Sequence, residues 1–381
     1  MIRLTVPSIE EDDLAAVRET LSSGFLVQGP RVAAFEAAMA AEVGTKHCVA
    51  VTNCTAALHL ALQAIGVGPG DLVAVTTYSW ITTANVIELC GAQPVFVDVD
   101  PRTFNMAPGA LEARLAEIGK LGETRKRLKA VLPVHTFGQM ADVDALGALA
   151  AKAGVPMIED AACALGATWG GKKAGSVGLV GAFSFHPRKA ITTGEGGALT
   201  TDDDALARTL RALRNHGQDP TPEPGVTDPF IMPGHNTRMT EMQGAMGVTQ
   251  MKKLARIVAA RKRLAARYDE RFRGSKVTPP HVPAGSGHVY QSYVTMLPEE
   301  AAPARPAILA KLKERGVEAT IGTWHMPLTR YFRAKYGYRA GDFPASDAVF
   351  ARALTLPLFE SMTEAQIDEV AGAVLDIVAK A

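Results

Sequence analysis

The chain has 381 residues, 47% of them hydrophobic and 21% charged, which excludes wholesale disorder and suits a soluble globular protein of about two domains. Forty Lys and Arg against 39 Asp and Glu leave a net charge of +1, too little for a surface built chiefly for nucleic acid or an anionic membrane. No apolar run is long enough to span a bilayer, and Met1-Ile2-Arg3-Leu4 leads directly into a polar segment rather than a secretory signal, so the expected compartment is the cytoplasm.

In chain order, Ser8-Ile9-Glu10-Glu11 reads as a capping box that opens an amphipathic helix to about Ser22, and a second helix follows Pro30. Short apolar runs then alternate with helical ones. Strands are expected at Cys48–Val51, Leu72–Val75, Val95–Val99, Ala130–Val134, Val155–Ile158, Gly181–Phe185 and Gly197–Thr200. Helices are expected at Thr55–Ile65, near Thr82–Leu89, from Gly109, near Ala145–Ala153 and from about Asp203. That alternation means crossover units and a mostly parallel sheet covered on both faces. Residues 218–234 are rich in Pro, Gly and Asp and read as a long surface loop. Thr240-Glu241-Met242-Gln243 caps a long basic helix to about Arg271. Beyond a Pro/Gly joint at 279–287 come a strand (Val289–Met296), a helix (Ala307–Arg315) and a capped helix from Thr363. The expected division is a large domain over residues 1–250 and a smaller α+β domain over 251–381.

Cys48, Cys54, Cys90 and Cys163 form no C-x-x-C pair, and the nine histidines show no tight ligand spacing, so neither a disulfide framework nor a metal site is expected. Parallel sheets carry ligands at the carboxyl ends of their strands, and four such ends are unusual. Asn53-Cys54-Thr55 passes from strand into helix, offering free amides and a helix dipole to an anion, or forming an ordinary turn with a cap. Trp80 follows a strand end, either as a stacking platform for a planar ring or as core. Glu159-Asp160 closes an apolar strand with two carboxylates; one could face a protonated heterocyclic nitrogen, or both could serve as a helix cap. Ser184 to Gly197 carries Lys189 beside Arg188 and then a glycine-rich loop. Partial burial and that neighbouring cation would lower the Lys189 pKa and free its amine for Schiff-base chemistry; a loop lysine is otherwise solvated.

Together the four fit pyridoxal 5′-phosphate (PLP), which needs an amine, an acid for the ring nitrogen, a ring platform and a phosphate cup. The chain resembles the DegT/StrS family of PLP-dependent sugar aminotransferases, of the aspartate-aminotransferase fold type I. The likeness rests on Gly29-Pro30, Asn53–Leu58, Gly91–Asp98, Glu159-Asp160, Ser184–Gly197, Gly234–Glu241 and Leu356-Pro357-Leu358, and so runs nearly end to end. It implies an α/β large domain with a mostly parallel seven-stranded sheet and a smaller C-terminal α+β domain. It also implies that Lys189 bonds the cofactor and shuttles the proton, that Asp160 pairs with the pyridinium nitrogen, and that Trp80 stacks on the ring. Cys54, Thr55 and Ser184 would hold the phosphate, and Asn236 would reach it from a neighbouring subunit, making a homodimer with shared sites. Cys163 departs from the pattern, standing where many members carry Gln or His against the phenolic oxygen; a thiol is a weaker partner there. Arg238, Tyr290, Trp324 and His325 fall in segments that in relatives approach the sugar nucleotide.

The resemblance further implies ping-pong transfer from L-glutamate to a keto group of a nucleotide-linked deoxy-keto-sugar, for a surface glycan or a secondary metabolite. A cyclitol ketone is an alternative acceptor. A dehydratase sibling would carry His in place of Lys189. A P-loop reading of Gly166–Lys173 fails because Lys173 stands where Ser or Thr must bind magnesium. A regulator that has lost turnover finds no DNA-binding segment or basic tail to support it.

Overall fold

The apolar runs form one sheet in the computed structural model, which describes residues 1–120, 122 and 127–380. Its strands are β1 (His47–Val51), β2 (Leu72–Thr76), β3 (Gln93–Val97), β4 (Leu128–Leu132), β5 (Ile158–Asp160), β6 (Val180–Ser184) and β7 (Gly197–Thr201). Across the sheet the order is β1-β7-β6-β5-β4-β2-β3, with β5 joined to β4 by the Val131–Met157 and Val134–Asp160 bridges. Every neighbouring pair is parallel except the two that involve β7, which runs against both β1 and β6. This strand departs from the parallel pattern for a local reason. Residues 185–196 hold Pro187 and two glycines and form no helix, so the chain simply turns back beside β6. That turn carries Lys189.

Side chains alternate across the pleat and feed two cores. On one face Cys48, Ala50, Ala74 and Val131 meet α2 (Pro30–Val43), α5 (Pro108–Lys120), α6 (Val143–Ala153) and the first half of α8 (Glu241–Phe272). On the other, Val49, Val51, Val73 and Val75 meet α3 (Cys54–Ala64), α4 (Thr82–Leu89), α7 (Asp204–Arg214) and α10 (Arg330–Tyr336). A third core joins the second half of α8, from Leu264, to α9 (Arg305–Glu314), α12 (Glu364–Val378) and the antiparallel sheet β8-β10-β9 (Tyr293–Met296, Ala353–Leu356, Thr320–Ile321). Ile2 packs into this last core, and the Ile2 amide donates to the Gly316 carbonyl at 2.6 Å.

The long helix α8 starts as its sequence requires. The Gln243 amide donates to Thr240 Oγ1 at 3.3 Å and the Thr240 amide to Gln243 Oε1 at 2.9 Å, a box of the kind that contributes about 1 kcal/mol. Glu241 then caps a different helix. Its carboxylate accepts the amides of Gly29, Arg31 and Val32 at 2.7–2.9 Å and so closes the start of α2.

Three local expectations change. The box at α1 (Glu11–Ser23) uses Glu10 and Asp13 rather than Ser8: the Glu10 amide donates to Asp13 Oδ2 at 2.8 Å, while the Ser8 carbonyl is taken by Gln250 at 2.6 Å. The strand expected over Val289–Met296 begins only at Tyr293, because Tyr290 has φ 49° and the Val289 amide turns away to the Gly138 carbonyl. The P-loop-like stretch is a small hairpin, Thr168–Trp169 against Lys172–Lys173, turned by Gly170 and Gly171 at positive φ. No helix among the described residues is long and apolar enough to cross a membrane.

Candidate active site

The two carboxylates of β5 point to opposite faces of the sheet and meet opposite treatment. Glu159 is buried and accepts four bonds, from His135 Nε2 at 2.7 Å and from the amides of Gly175, Val177 and Gly178 at 2.6–2.9 Å. The Ala141 amide donates to His135 Nδ1 at 3.2 Å, which leaves the proton on Nε2 to face Glu159. Burial pushes the Glu159 pKa up, but these donors, His135 foremost, hold it below the ordinary carboxylate value. It is a fully satisfied structural anion. Asp160, also buried, accepts among the described residues only Thr83 Oγ1 at 2.7 Å and the Ala162 amide at 3.2 Å. Burial therefore wins and its pKa is raised. A carboxyl in this state has room for one more strong partner, and a cationic N–H is the partner that best offsets its desolvation.

Lys189 lies just past the end of β6, beside the strand that presents Asp160. Its Nζ donates to Cys163 Sγ at 3.0 Å, and Asp160 lies within its electrostatic reach. Burial draws the ammonium pKa down, yet the Cys163 sulfur and Asp160 outweigh it, and the net direction is up. This reverses the expectation of a lowered value. The cation expected to depress it, Arg188, turns its side chain to solvent, and the Cys163 sulfur and the Asp160 carboxyl face the amine instead.

The start of α3 is built as an anion cup. Asn53 Oδ1 accepts the Ala56 amide at 2.9 Å and the Asn53 carbonyl accepts the Ala57 amide at 3.1 Å. The Cys54 and Thr55 amides, preceding these, meet no acceptor among the described residues. Gly197, paired across the ladder with Ser184, packs against this turn so closely that a Cβ would sit 2.4 Å from the Asn53 carbonyl carbon. Ser184 and the α3 amides thereby share one end of the sheet.

Trp80 is 61% exposed, just before α4. Trp324, expected only from its segment, is brought next to it. Tyr78–Ser79 pairs antiparallel with Trp324–His325, Ser79 opposite Trp324, and Trp324 is 43% exposed. The sequence reading overlooked Thr83. Its hydroxyl, beyond its bond to Asp160, lies 3.3 Å from the Trp80 carbonyl and ties the platform to the acid. A Thr in the first turn of a helix looked like a simple capping residue.

The remaining expected residues scatter. Arg238 lies beside the end of β1 through the Val51 bridge and donates to Asn215 Oδ1 at 2.6 Å. Asn236 is exposed, bridged through its backbone to Asn215. Tyr290 stacks on His288, ring centroids 4.1 Å apart, and burial pushes its pKa up to about 12. His325 is buried against Phe343 and Phe350, with Nε2 3.2 Å from Asp347 Oδ1, and burial lowers its pKa. Neither of the last two opens to solvent as Trp324 does. No cluster of potential metal ligands exists among the described residues.

The profile of the DegT/DnrJ/EryC1/StrS aminotransferase family matches residues 7–375. The chain is 38% identical over 383 residues to the spore coat polysaccharide biosynthesis protein SpsC of Bacillus subtilis, covering 98% of this chain and 96% of that protein. It is also 38% identical over 376 residues to the GDP-perosamine synthase of Caulobacter vibrioides, covering 98% and 97%. Among solved structures, the aminotransferase TlmJ from Streptoalloteichus hindustanus superposes with a TM-score of 0.88 at 33% identity, over 100% of this chain and 99% of that one. With a family match over residues 7–375 and relatives 38% identical over nearly their whole length, the chain belongs to the DegT/DnrJ/EryC1/StrS aminotransferases and is a PLP-dependent enzyme of fold type I.

Proposed function

We propose that the enzyme moves an amino group from L-glutamate to a keto group of a nucleotide-linked deoxy-keto-sugar, giving an amino sugar for glycan or secondary-metabolite synthesis. The observation that carries the reading is the pairing of Lys189 with a buried, under-satisfied Asp160 at the carboxyl end of one sheet. The names of two relatives, a GDP-perosamine synthase and a spore coat polysaccharide protein, support the sugar half of it.

When bound, PLP supplies an electron sink for the carbanion formed at the amine-bearing carbon. The protein residues do the rest. Lys189 would hold the cofactor's aldehyde through its amine, and that amine is placed to carry the proton to and from the reacting carbon. Asp160, held by Thr83, keeps the ring nitrogen protonated by offering it a desolvated carboxylate. The Cys54 and Thr55 amides and the Ser184 hydroxyl hold the phosphate at the helix terminus, and Trp80 covers the ring. Cys163, already against the Lys189 amine, takes the position beside the phenolic oxygen. Arg238, Tyr290, Trp324 and His325 belong to segments assigned to the acceptor, Trp324 being the one of them most open to solvent. Asn236, exposed on a single chain, serves the phosphate of a second subunit in a homodimer. Residues 1–250 supply most of the large domain and 251–381 most of the small one, with α10 returning to the large core and Ile2 joining the small one.

The test is a half-reaction. Loaded enzyme mixed with L-glutamate alone should lose its visible absorbance and release one 2-oxoglutarate per site, and a keto-sugar nucleotide should restore the band. Absence of any change with L-glutamate would remove the donor assignment; restoration by cyclitol ketones alone would remove the acceptor assignment.

A further inference from the structure

The loop that presents Lys189 is braced by a turn at its tip, where the Lys189 amide donates to the His186 carbonyl at 2.8 Å and the Arg188 amide to His186 Nδ1 at 3.1 Å, and by two bonds at its base. Thr192 Oγ1 donates to the Phe185 carbonyl at 2.8 Å and the Thr193 amide to the same carbonyl at 3.0 Å. Two groups close to the lysine are held from outside. The Arg188 carbonyl, one residue before it, accepts Gln291 Nε2. The Thr192 amide, three residues after it, donates to Gln250 Oε1 at 3.2 Å. Both glutamines are buried, at 8% and 0% exposure.

Each carboxamide is itself fixed. Gln250 Nε2 donates to the Ser8 carbonyl at 2.6 Å and to Asp13 Oδ2 at 3.1 Å, so only its oxygen can face the loop. Gln291 is held through its backbone: its carbonyl accepts Arg261 Nη1 at 2.9 Å, and the Tyr290 carbonyl accepts the same nitrogen at 3.2 Å. Arg261 is 2% exposed and has no carboxylate partner among the described residues, and burial takes its pKa down to about 10. The cost of burying that guanidinium goes toward a strained piece of backbone, Tyr290 at φ 49°, threaded past Gly138 where a Cβ would sit 2.7 Å from the Gln291 amide. Gln250 and Arg261 are eleven residues apart on α8. One rigid helix therefore fixes the lysine loop on both sides.

We propose that Gln250 and Gln291 are positioning residues that set where the Lys189 amine stands for its covalent and proton-transfer steps. The proposal rests on the reading of Lys189 as the cofactor-bonding residue. Loops are otherwise the mobile parts of a fold, and a misplacement of about 1 Å at a reacting group costs on the order of a hundredfold in rate. Neither glutamine bonds the lysine side chain itself, so each acts through the loop backbone.

The experiment uses Gln291→Met, which keeps the volume and removes the donor, with Gln250→Met, which removes the oxygen that accepts the Thr192 amide, as a second variant should the first fold poorly. Three readouts are taken beside the melting temperature: the rate at which cofactor-free protein captures added PLP, the midpoint pH of the visible absorbance of the loaded enzyme, and the single-turnover rate with L-glutamate. The expected result is a single-turnover rate lower by about tenfold or more at little-changed KM, slower cofactor capture, and an absorbance midpoint moved by about half a pH unit or more, with the melting temperature near that of the parent. Parent-like values of all three readouts in either folded variant would overturn the proposal, as would losses that merely follow the melting temperature. Borohydride trapping in the parent separates the two readings. If the label is not at Lys189, the underlying assignment fails; if it is, and the variants are indifferent, the clamp alone fails.

Discussion

The cofactor half and the acceptor half of the site are built from different material. The cofactor half hangs on the ends of β1, β5 and β6 and the start of α3, elements fixed by two cores, and its groups converge: Lys189 on Cys163, Thr83 on Asp160, Gly197 on Asn53. The residues proposed for the acceptor come from dispersed segments, with Arg238 bridged to Val51 at the end of β1. Trp324 reaches Trp80 through a two-residue strand, Arg238 is tied to Asn215, and Tyr290 and His325 sit inside the packing. Chemistry common to a family belongs on the rigid part, and choice of substrate belongs on the part that can vary without disturbing it.

The comparison can be broken most forcefully at the lysine. Lys189→Ala should cut transamination by on the order of 10⁴-fold or more, with the protein still folded, measured as single turnover with L-glutamate. Asp160→Asn comes next. It should retain PLP but slow proton abstraction by roughly 10²–10⁴-fold. The same change should alter stability with a definite sign. Because the folded pKa of Asp160 is raised, its ionisation opposes folding as pH climbs past the ordinary carboxylate range. Cofactor-free Asp160→Asn should therefore melt higher than the parent at pH 8 and lose that advantage at pH 4. An unchanged difference across that range would contradict the role given to burial.

Glu159, one residue away, should behave in the opposite sense. Glu159→Ala leaves His135 and three amides without their acceptor, and should cost about 3–5 kcal/mol of stability with or without cofactor, read by denaturant unfolding. The smallest effect is expected in the acceptor half. Trp324→Ala should raise KM for the sugar nucleotide about tenfold through lost stacking while leaving the L-glutamate half-reaction intact. A matching loss in that half-reaction would dissolve the boundary between the two halves.

Much of this was legible in the sequence. Apolar runs such as Leu72–Val75 marked strands because a strand buried on both faces has few other spellings, and Thr240 with Gln243 marked the start of α8. The positions of Lys189, Asp160 and the Asn53–Thr55 turn at strand ends were legible because each breaks an apolar run with unusual residue types. Residues that act through distant partners were not. Thr83 looked like a helix start, and nothing local says that its hydroxyl meets Asp160 across 77 positions. Gln291 and Arg261 belong to stretches read as strand and basic helix; only the fold shows a buried guanidinium holding a left-handed turn. The Lys189 electrostatics were misread because Arg188 is adjacent in sequence yet points away, while Cys163 and Asp160 come from other strand ends.

The most direct test of the account is borohydride reduction of the PLP-loaded enzyme followed by peptide mapping. The account predicts one covalent label per chain, on Lys189, and its disappearance when L-glutamate is added before the reductant. A label on any other lysine, or a protein that takes up no PLP, would contradict it.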